Sequence, residues 1–280
     1  MSDEPTAPAM FRTVPVTRVA RPDSGPGLDA AAVEEPLEIR LHGRPFAVIM
    51  RTPGEDPALA AGFLLAEGIV QSGADIGAVE HCRHPHHPEA HNVVDVYLLR
   101  EAASSLEVRL EERRNVLTTS ACGLCGRVTI DSLKSRAAPL EVSWKIGRRT
   151  VGRLPELLRR RQEAFDETGG LHAAALFDLE GRCARSAEDV GRHNAVDKVI
   201  GGMLLDERFP LSDLVLVVSG RASFEIVQKA WIAQIGLVCA VSAPSSLAID
   251  LAEEAGITLL GFARGGGFNL YSHAGRLRAP

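Results

Sequence analysis

The chain has 280 residues, an apolar share of 45%, a charged share of 24% and a net charge of −5. This suits one large or two modest soluble globular domains, and the negative charge speaks against a general nucleic-acid binder. No apolar run approaches the roughly 20 residues of a membrane helix, and five cysteines, an odd number with one closely spaced pair, fit a reducing cytoplasm better than a disulfide framework.

Residues 1–29 are rich in Pro, Ala, Asp and Gly and read as a flexible tail, continuing at most into an edge strand. Leu37, Ile39 and Leu41 alternate as a strand, His42-Gly43-Arg44 makes a tight turn, and residues 46–50 return as the second strand of a hairpin. Pro57 suits the first turn of a helix over 58–67 that buries Leu59, Phe63 and Leu64 and ends at Gly68. Residues 81–91 hold Cys82 and five of the nine histidines. Val94, Val96 and Leu98 mark a strand over 92–99, and 106–110 repeats the alternation more weakly. Residues 30–117 are therefore expected to form a small α+β domain with antiparallel pairing.

Thr118-Thr119-Ser120-Ala121-Cys122-Gly123-Leu124-Cys125-Gly126-Arg127 follows, two cysteines two residues apart among small residues. Glycine neighbours leave both sulfurs accessible and let the backbone turn, so 118–135 reads as a mobile loop and linker, with a short helix candidate at 128–135.

The remainder, 136–280, becomes regular. A helix is expected over 151–168, stopped by Gly169-Gly170, then strands over 171–178 and 182–186 joined by a turn. Helices over 193–205, 223–235 and 245–255 alternate with apolar strands over 214–218, 237–241 and 257–262, which specifies a parallel α/β sheet. Ligands of such sheets lie beyond the carboxyl ends of the strands. Those ends carry Ser219-Gly220-Arg221-Ala222-Ser223, Ser242-Ala243-Pro244-Ser245-Ser246 and Arg264-Gly265-Gly266-Gly267. Hydroxyls, helix starts, two arginines and a glycine run at one edge suit an anion such as phosphate; the alternative is that the serines only cap helices and the glycines are only a loop. Glu188 to Lys198 joins this region, with His193 and Asp197 on one helix face; alternatively Asp189 is a cap and the rest a solvated face.

The order hairpin, helix, strand, helix, strand, helix, strand resembles the cytidine deaminase core. Those zinc enzymes need H-x-E and P-C-x-x-C, where this chain reads His193-Asn194-Ala195 and Ser219-Gly220-Arg221-Ala222-Ser223. The expected fold is therefore α/β (α+β overall): a small α+β N-terminal domain, then a cytidine-deaminase-like three-layer α/β domain lacking the zinc ligands. No metal site is assigned.

Three chemistries remain for the cysteine pair. Zinc needs two further ligands, and Cys183 and Cys239 fall in strands as core residues, which leaves only the Cys82 tract. A thioredoxin-like pair should follow the first strand of a βαβ unit, whereas this one falls between two domains. The third is a mobile thiol that carries a cargo, its thiolate favoured by Arg127 and a nearby helix start.

Taken together, Ser120-Ala121-Cys122-Gly123-Leu124-Cys125-Gly126, the Glu188 to Lys198 segment, Ser219 to Glu225 and Phe262 to Asn269 resemble the FdhD family of formate dehydrogenase accessory sulfurtransferases. Glu35-Pro36-Leu37, Arg51-Thr52-Pro53-Gly54 and Gly62-Phe63-Leu64-Leu65-Ala66-Glu67-Gly68 are similar to that family as well, so the resemblance runs from about 14 to 275. It implies a cytoplasmic homodimer that takes persulfide sulfur from a cysteine desulfurase. That sulfur passes to the molybdenum (or tungsten) bis-pterin guanine dinucleotide cofactor required by formate dehydrogenase. It also implies the persulfide on Cys122 with Cys125 assisting, and the guanine dinucleotide contact on Phe262, Ala263, Arg264, Gly265, Gly266 and Gly267, where a guanine nucleotide could mimic the cofactor. Ser219, Arg221, Ser242 and His193 complete the expected pocket. No nucleic acid or membrane partner is expected. The alternatives are a non-catalytic chaperone that binds the cofactor for formate dehydrogenase, and a zinc-stabilised binding module.

Overall fold

The structure is a computed structural model that describes residues 9–20, 22–82, 90–99, 102–103 and 138–278. The cysteine pair Cys122 and Cys125, the strand expected at 106–110 and the helix expected at 128–135 lie outside the described residues. Among the described residues no helix is long and apolar enough to cross a membrane.

The expected tail is largely a hairpin: β1 (Phe11–Arg18) pairs antiparallel with β2 (Gly25–Ala32) in unbroken register from Phe11↔Ala32 to Arg18↔Gly25. In β1, Val14, Val16 and Arg18 are the half-buried positions, a period-2 pattern within a segment whose Pro and Gly content obscures it in sequence. The hairpin leans on the short helix over 163–168 described below.

The next hairpin forms as expected. β3 (Glu35–Leu41) and β4 (Arg44–Arg51) are joined by His42 and Gly43, with φ of 50° and 77°, the left-handed pair a two-residue turn requires. Helix α1 (Asp56–Ala66) has Pro57 in its first turn and is followed by Gly68 at φ 70°. β5 (Ile76–His81), which carries no clear sequence signal, and β6 (Val93–Leu98) complete a four-stranded sheet of order β4-β3-β6-β5. Its central pair, β3 and β6, is parallel, so the sheet is mixed rather than antiparallel. The long β4–α1–β5 connection makes this possible, and alternation within a strand is silent about its neighbour's direction.

The second half opens with the short strand β7 (Ile146–Gly147). Here α2 (Arg148–Arg159) and α3 (Glu163–Thr168) replace the single helix expected over 151–168. The break has a tertiary cause. The Glu188 carboxylate accepts the free backbone N–H groups of Ala164 (2.9 Å) and Phe165 (2.8 Å) and so starts a new helix there. Apolar periodicity runs through both pieces and hides the break.

β8 (His172–Phe177), β9 (Cys183–Asp189), α4 (Arg192–Leu205), β10 (Val215–Val218), α5 (Phe224–Ile232), β11 (Leu237–Ala240), α6 (Ser246–Glu254) and β12 (Thr258–Arg264) follow the expected order. An added edge strand, β13 (Gly267–Ser272), pairs antiparallel with β12, so the glycine run is a hairpin turn and not an open loop. The six-stranded sheet reads β13-β12-β11-β10-β8-β9, with β10, β11 and β12 parallel. A last short strand, β14 (Leu277–Arg278), pairs parallel with β7.

Strand alternation sorts this sheet into three layers. Ala174, Leu176, Leu216, Val238 and Leu259 face α4, α5 and α6, whereas Ala175, Phe177, Val217, Cys239 and Leu260 face Val151, Leu154 and Leu158 of α2. The first core also contains Leu37, Ile39, Leu59, Leu64, Val94 and Val96, so the N-terminal sheet and the α/β sheet share it. Helix α4 lies between them, which is why its residues 193–204 are all buried. Contact with α1 is backbone to backbone: a Cβ on Gly62 would lie 2.1 Å from Asp197 O, and one on Gly201 2.0 Å from Ala58 O.

Candidate functional site

The carboxyl ends of β10, β11 and β12, the amino end of β8 and the start of α4 all reach one edge of the sheet. The loops there are knitted together. Ser219 donates its N–H to Ala173 O and accepts the Ala173 N–H on Oγ, both at 2.9 Å. Ser242 donates to Gly220 O (3.4 Å) and its carbonyl accepts from Phe262 N (3.1 Å), while Ala222 bridges Pro244. Ser245 Oγ caps α6 by accepting from Ala248 N (3.2 Å). The Ser219 and Ser245 hydroxyls are thus occupied in joining loops and capping, the role set against ligand binding from the sequence. Arg221 stays exposed.

His193 and Asp197 share one face of α4, as their spacing predicts, and both turn toward α5. His193 Nε2 lies 3.2 Å from Ser223 Oγ and 3.6 Å from Glu225 Oε2. Its hydrogen bond to Glu225 holds that carboxyl down to about 2. Asp197 accepts from Lys229 Nζ at 2.6 and 2.8 Å, a buried pair. On the neighbouring strand, burial and then the Arg192 charge push His172 below its ordinary value. Arg192 Nε is buried without a partner among the described residues.

The rest of the 188–198 segment is neither a solvated face nor a ligand set. Lys198 Nζ contacts Asp189 Oδ2 (2.8 Å), Thr52 O (2.9 Å) and Glu188 O (3.3 Å). Asp189 also accepts from Thr52 N (3.2 Å), Gly191 N (2.8 Å) and Asn194 Nδ2 (2.8 Å), and Asn194 reaches back to Met50 O (2.8 Å). These groups fasten the end of β4 to α4. Arg51 beside them forms a bidentate bond to Asp56 (2.9 and 3.0 Å) and reaches Asn92 (2.8 Å). Sequence reasoning missed this use of Arg51, Thr52, Lys229 and Glu225. A buried position for each is invisible in polar, locally aperiodic stretches.

Phe262 leaves the edge in an unusual way. It has φ 54°, a conformation costly for a bulky residue, and the pairing of β12 with β13 shifts register between Gly261 and Arg264. Gly261 must lack a side chain, since a Cβ there would lie 2.8 Å from Pro244 Cδ. Beyond the bend Ala263 enters the α2 core, whereas Phe262, Arg264, Gly265, Gly266 and Gly267 are exposed. Gly265 and Gly266, at φ 56° and 79°, form the hairpin turn. That turn sits on α2, where a Cβ on Gly152 would be 2.4 Å from Gly266 O. So Ser219, Ser242, His193 and Phe262 meet at the sheet edge as expected, but the glycine turn projects from it onto α2.

Two further thiols, in strands β9 and β11, are poor nucleophiles. Cys239 is buried and pushed up to about 12, and burial raises half-buried Cys183. His81 and His91 lie near single carboxylates, Asp56 (3.8 Å) and Glu35 (3.7 Å). Among the described residues no group of three or more His, Cys, Asp or Glu is arranged to hold a metal ion.

These features define an α/β protein in which the edge at the carboxyl ends of the parallel strands joins capped serine loops to the Phe262–Gly267 hairpin. The model of the FdhD/NarQ family matches residues 32–278, and the chain belongs to that family. It is 48% identical over 258 residues to the sulfur carrier protein FdhD of Streptomyces coelicolor, covering 89% of each chain. With the sulfur carrier protein FdhD of Nocardia farcinica it shares 49% over 255 residues, 90% of this chain and 89% of the other. In fold it is similar to a crystal structure from Desulfotalea psychrophila described as a putative formate dehydrogenase accessory protein. The TM-score is 0.74 at 21% identity, covering 96% of this chain and 100% of that one.

Proposed function

We propose that this protein is a sulfur carrier that takes persulfide sulfur from a cysteine desulfurase onto Cys122. It then passes the sulfur to the molybdenum or tungsten bis-pterin guanine dinucleotide cofactor of formate dehydrogenase. What carries the reading is the family: relatives nearly half identical over about nine-tenths of the chain are named sulfur carriers. The chemistry is a balanced exchange. The Cys122 thiolate attacks the outer sulfur of the donor persulfide, one S–S bond forms as another breaks, and the donor leaves as a thiolate. Cys125 assists release: its thiolate attacks Cys122 Sγ, the Cys122–Cys125 disulfide forms as the bond to the outer sulfur breaks, and that sulfur leaves for the cofactor at the sulfide level. The cofactor is the substrate, held by its guanine dinucleotide end at the Phe262–Gly267 hairpin, with Ser242 and His193 fixing the edge behind it and Arg221 beside it.

Incubation with a cysteine desulfurase and labelled cysteine tests this. Uptake of about one reducible sulfur per chain is expected in the wild type and in Cys125→Ala, and none in Cys122→Ala. Normal uptake by Cys122→Ala would remove the assignment, and restoration of formate dehydrogenase by that variant would favour a cofactor chaperone.

A further inference from the structure

Two histidines at the sheet edge sit in opposite surroundings. His172 opens β8 and, with Arg192, flanks the loop after β10: a Cβ on Gly220 would touch both, 3.4 Å from His172 Nδ1 and 3.8 Å from Arg192 Cβ. Burial, then the Arg192 charge, then the His193 charge disfavour a proton on His172. Asp189, opposite it on β9, opposes them only in part and is itself bound by Lys198. His172 is therefore a neutral imidazole at neutral pH, an acceptor of protons. His193 faces the other way, into carboxylates. Its Nε2 lies 3.2 Å from Ser223 Oγ and 3.6 Å from Glu225, which is ionised there, and Asp197 one turn along α4 is held by Lys229. A hydroxyl and a carboxylate beside one ring nitrogen suit an N–H, and so a donor of protons.

The release of sulfur moves a proton for which the proposed function names no residue. Cys125 must lose its proton to attack, since an ordinary thiol is mostly protonated at neutral pH. The outer sulfur must gain one, because a bare sulfide dianion is far more basic than hydrosulfide and a less basic sulfur leaves faster. In balance, the Cys122 persulfide anion and the Cys125 thiol give the Cys122–Cys125 disulfide and HS⁻. The Cys125 sulfur is oxidised, the outer sulfur is reduced, and one proton passes from the first to the second. Two titratable groups whose surroundings drive them apart divide such a transfer between a base and an acid. His172 and His193 are such a pair, at the edge where the proposed function places the cofactor.

We infer that His172 is the base that takes the Cys125 proton and His193 the acid that gives one to the leaving sulfur, an inference that rests on the sulfur-carrier reading above. Solvent returns the proton from His172 to His193, so the pair is restored. The test loads the full chain from a cysteine desulfurase, removes the donor, and follows discharge with a sulfide electrode from about pH 5 to about pH 9. Wild type should pass through a maximum, slowing on the acid side as His172 gains a proton and on the alkaline side as His193 loses one. His172→Asn should lose the acid-side fall and His193→Asn the alkaline-side fall. Each should be at least about a hundredfold slower at the wild-type maximum, with loading intact. His193 is buried, so Glu225→Gln guards against a folding defect. It keeps the ring, and its alkaline-side fall should move to lower pH. Normal loading with an unchanged profile in either histidine variant, or an unmoved fall in Glu225→Gln, overturns the acid–base pair alone. Discharge of Cys125→Ala at the wild-type rate overturns it as well. No loading of the wild type removes the sulfur-carrier reading, and this inference with it.

Discussion

Replacing Lys198 by methionine should destabilise the protein more than any change at the exposed hairpin. The side chain is 2% exposed and its ammonium is held by Asp189, Thr52 O and Glu188 O, while Asp189 is fully buried. Methionine keeps the bulk but leaves the Asp189 carboxylate without its counter-charge, and breaking one side of a buried pair costs about 3–5 kcal/mol. Three N–H donors from Thr52, Gly191 and Asn194 remain on Asp189, which places the loss toward the lower end, about 3 kcal/mol. Against a total stability of about 5–15 kcal/mol this is a large fraction. Urea unfolding followed by the fluorescence of Trp144 and Trp231 measures it. The midpoint should fall by about 1 M if the slope is near 3 kcal/mol/M. Adding Asp189→Asn to Lys198→Met should recover part of the loss, since the uncompensated charge goes with it. A single-variant loss below about 1 kcal/mol at unchanged slope would refute the idea that this pair fastens β4 to α4.

The α1–α4 contact predicts a contrast between two glycines. Gly201→Ala should cost about 1–3 kcal/mol or more, because its Cβ would sit 2.0 Å from Ala58 O and backbone must move, whereas Gly275→Ala, with nothing within 4 Å, should melt like wild type. Glu225 has a folded value of about 2 against an ordinary 4.5, so its contribution to stability is complete above about 4.5 and is lost as pH falls through about 2. Urea midpoints taken at pH 6 and pH 3 should therefore fall less on acidification in Glu225→Gln than in wild type; an equal fall in both would show that the His193–Glu225 contact contributes nothing.

Much of the architecture was legible because it is written in local periods. Alternation at Leu37, Ile39, Leu41 and at Val94, Val96, Leu98 records a buried face, and all six residues are buried. The helix–strand order of the second half rests on the same ground, as does the link between His193 and Asp197. The candidate site was legible where a residue type serves its own stretch of chain, as the serine cap of α6 and the thiols of the strands do. It was less legible where a polar residue is recruited from afar. Lys198 and Asp189 owe their burial to Thr52, 146 and 137 residues away.

The sequence by itself determined most of the central strands and helices, which of their faces are apolar, and that the serine loops and the end of β12 gather at one sheet edge. Tertiary structure alone decided that β3 and β6 run parallel, that Glu188 splits α2 from α3, and that the glycine turn bends onto Gly152 beside the arginines of α2. The division has one physical cause. A periodic pattern reports how a segment meets the core, whereas strand direction, remote capping and backbone-to-backbone contact depend on partners that only the closed chain brings together.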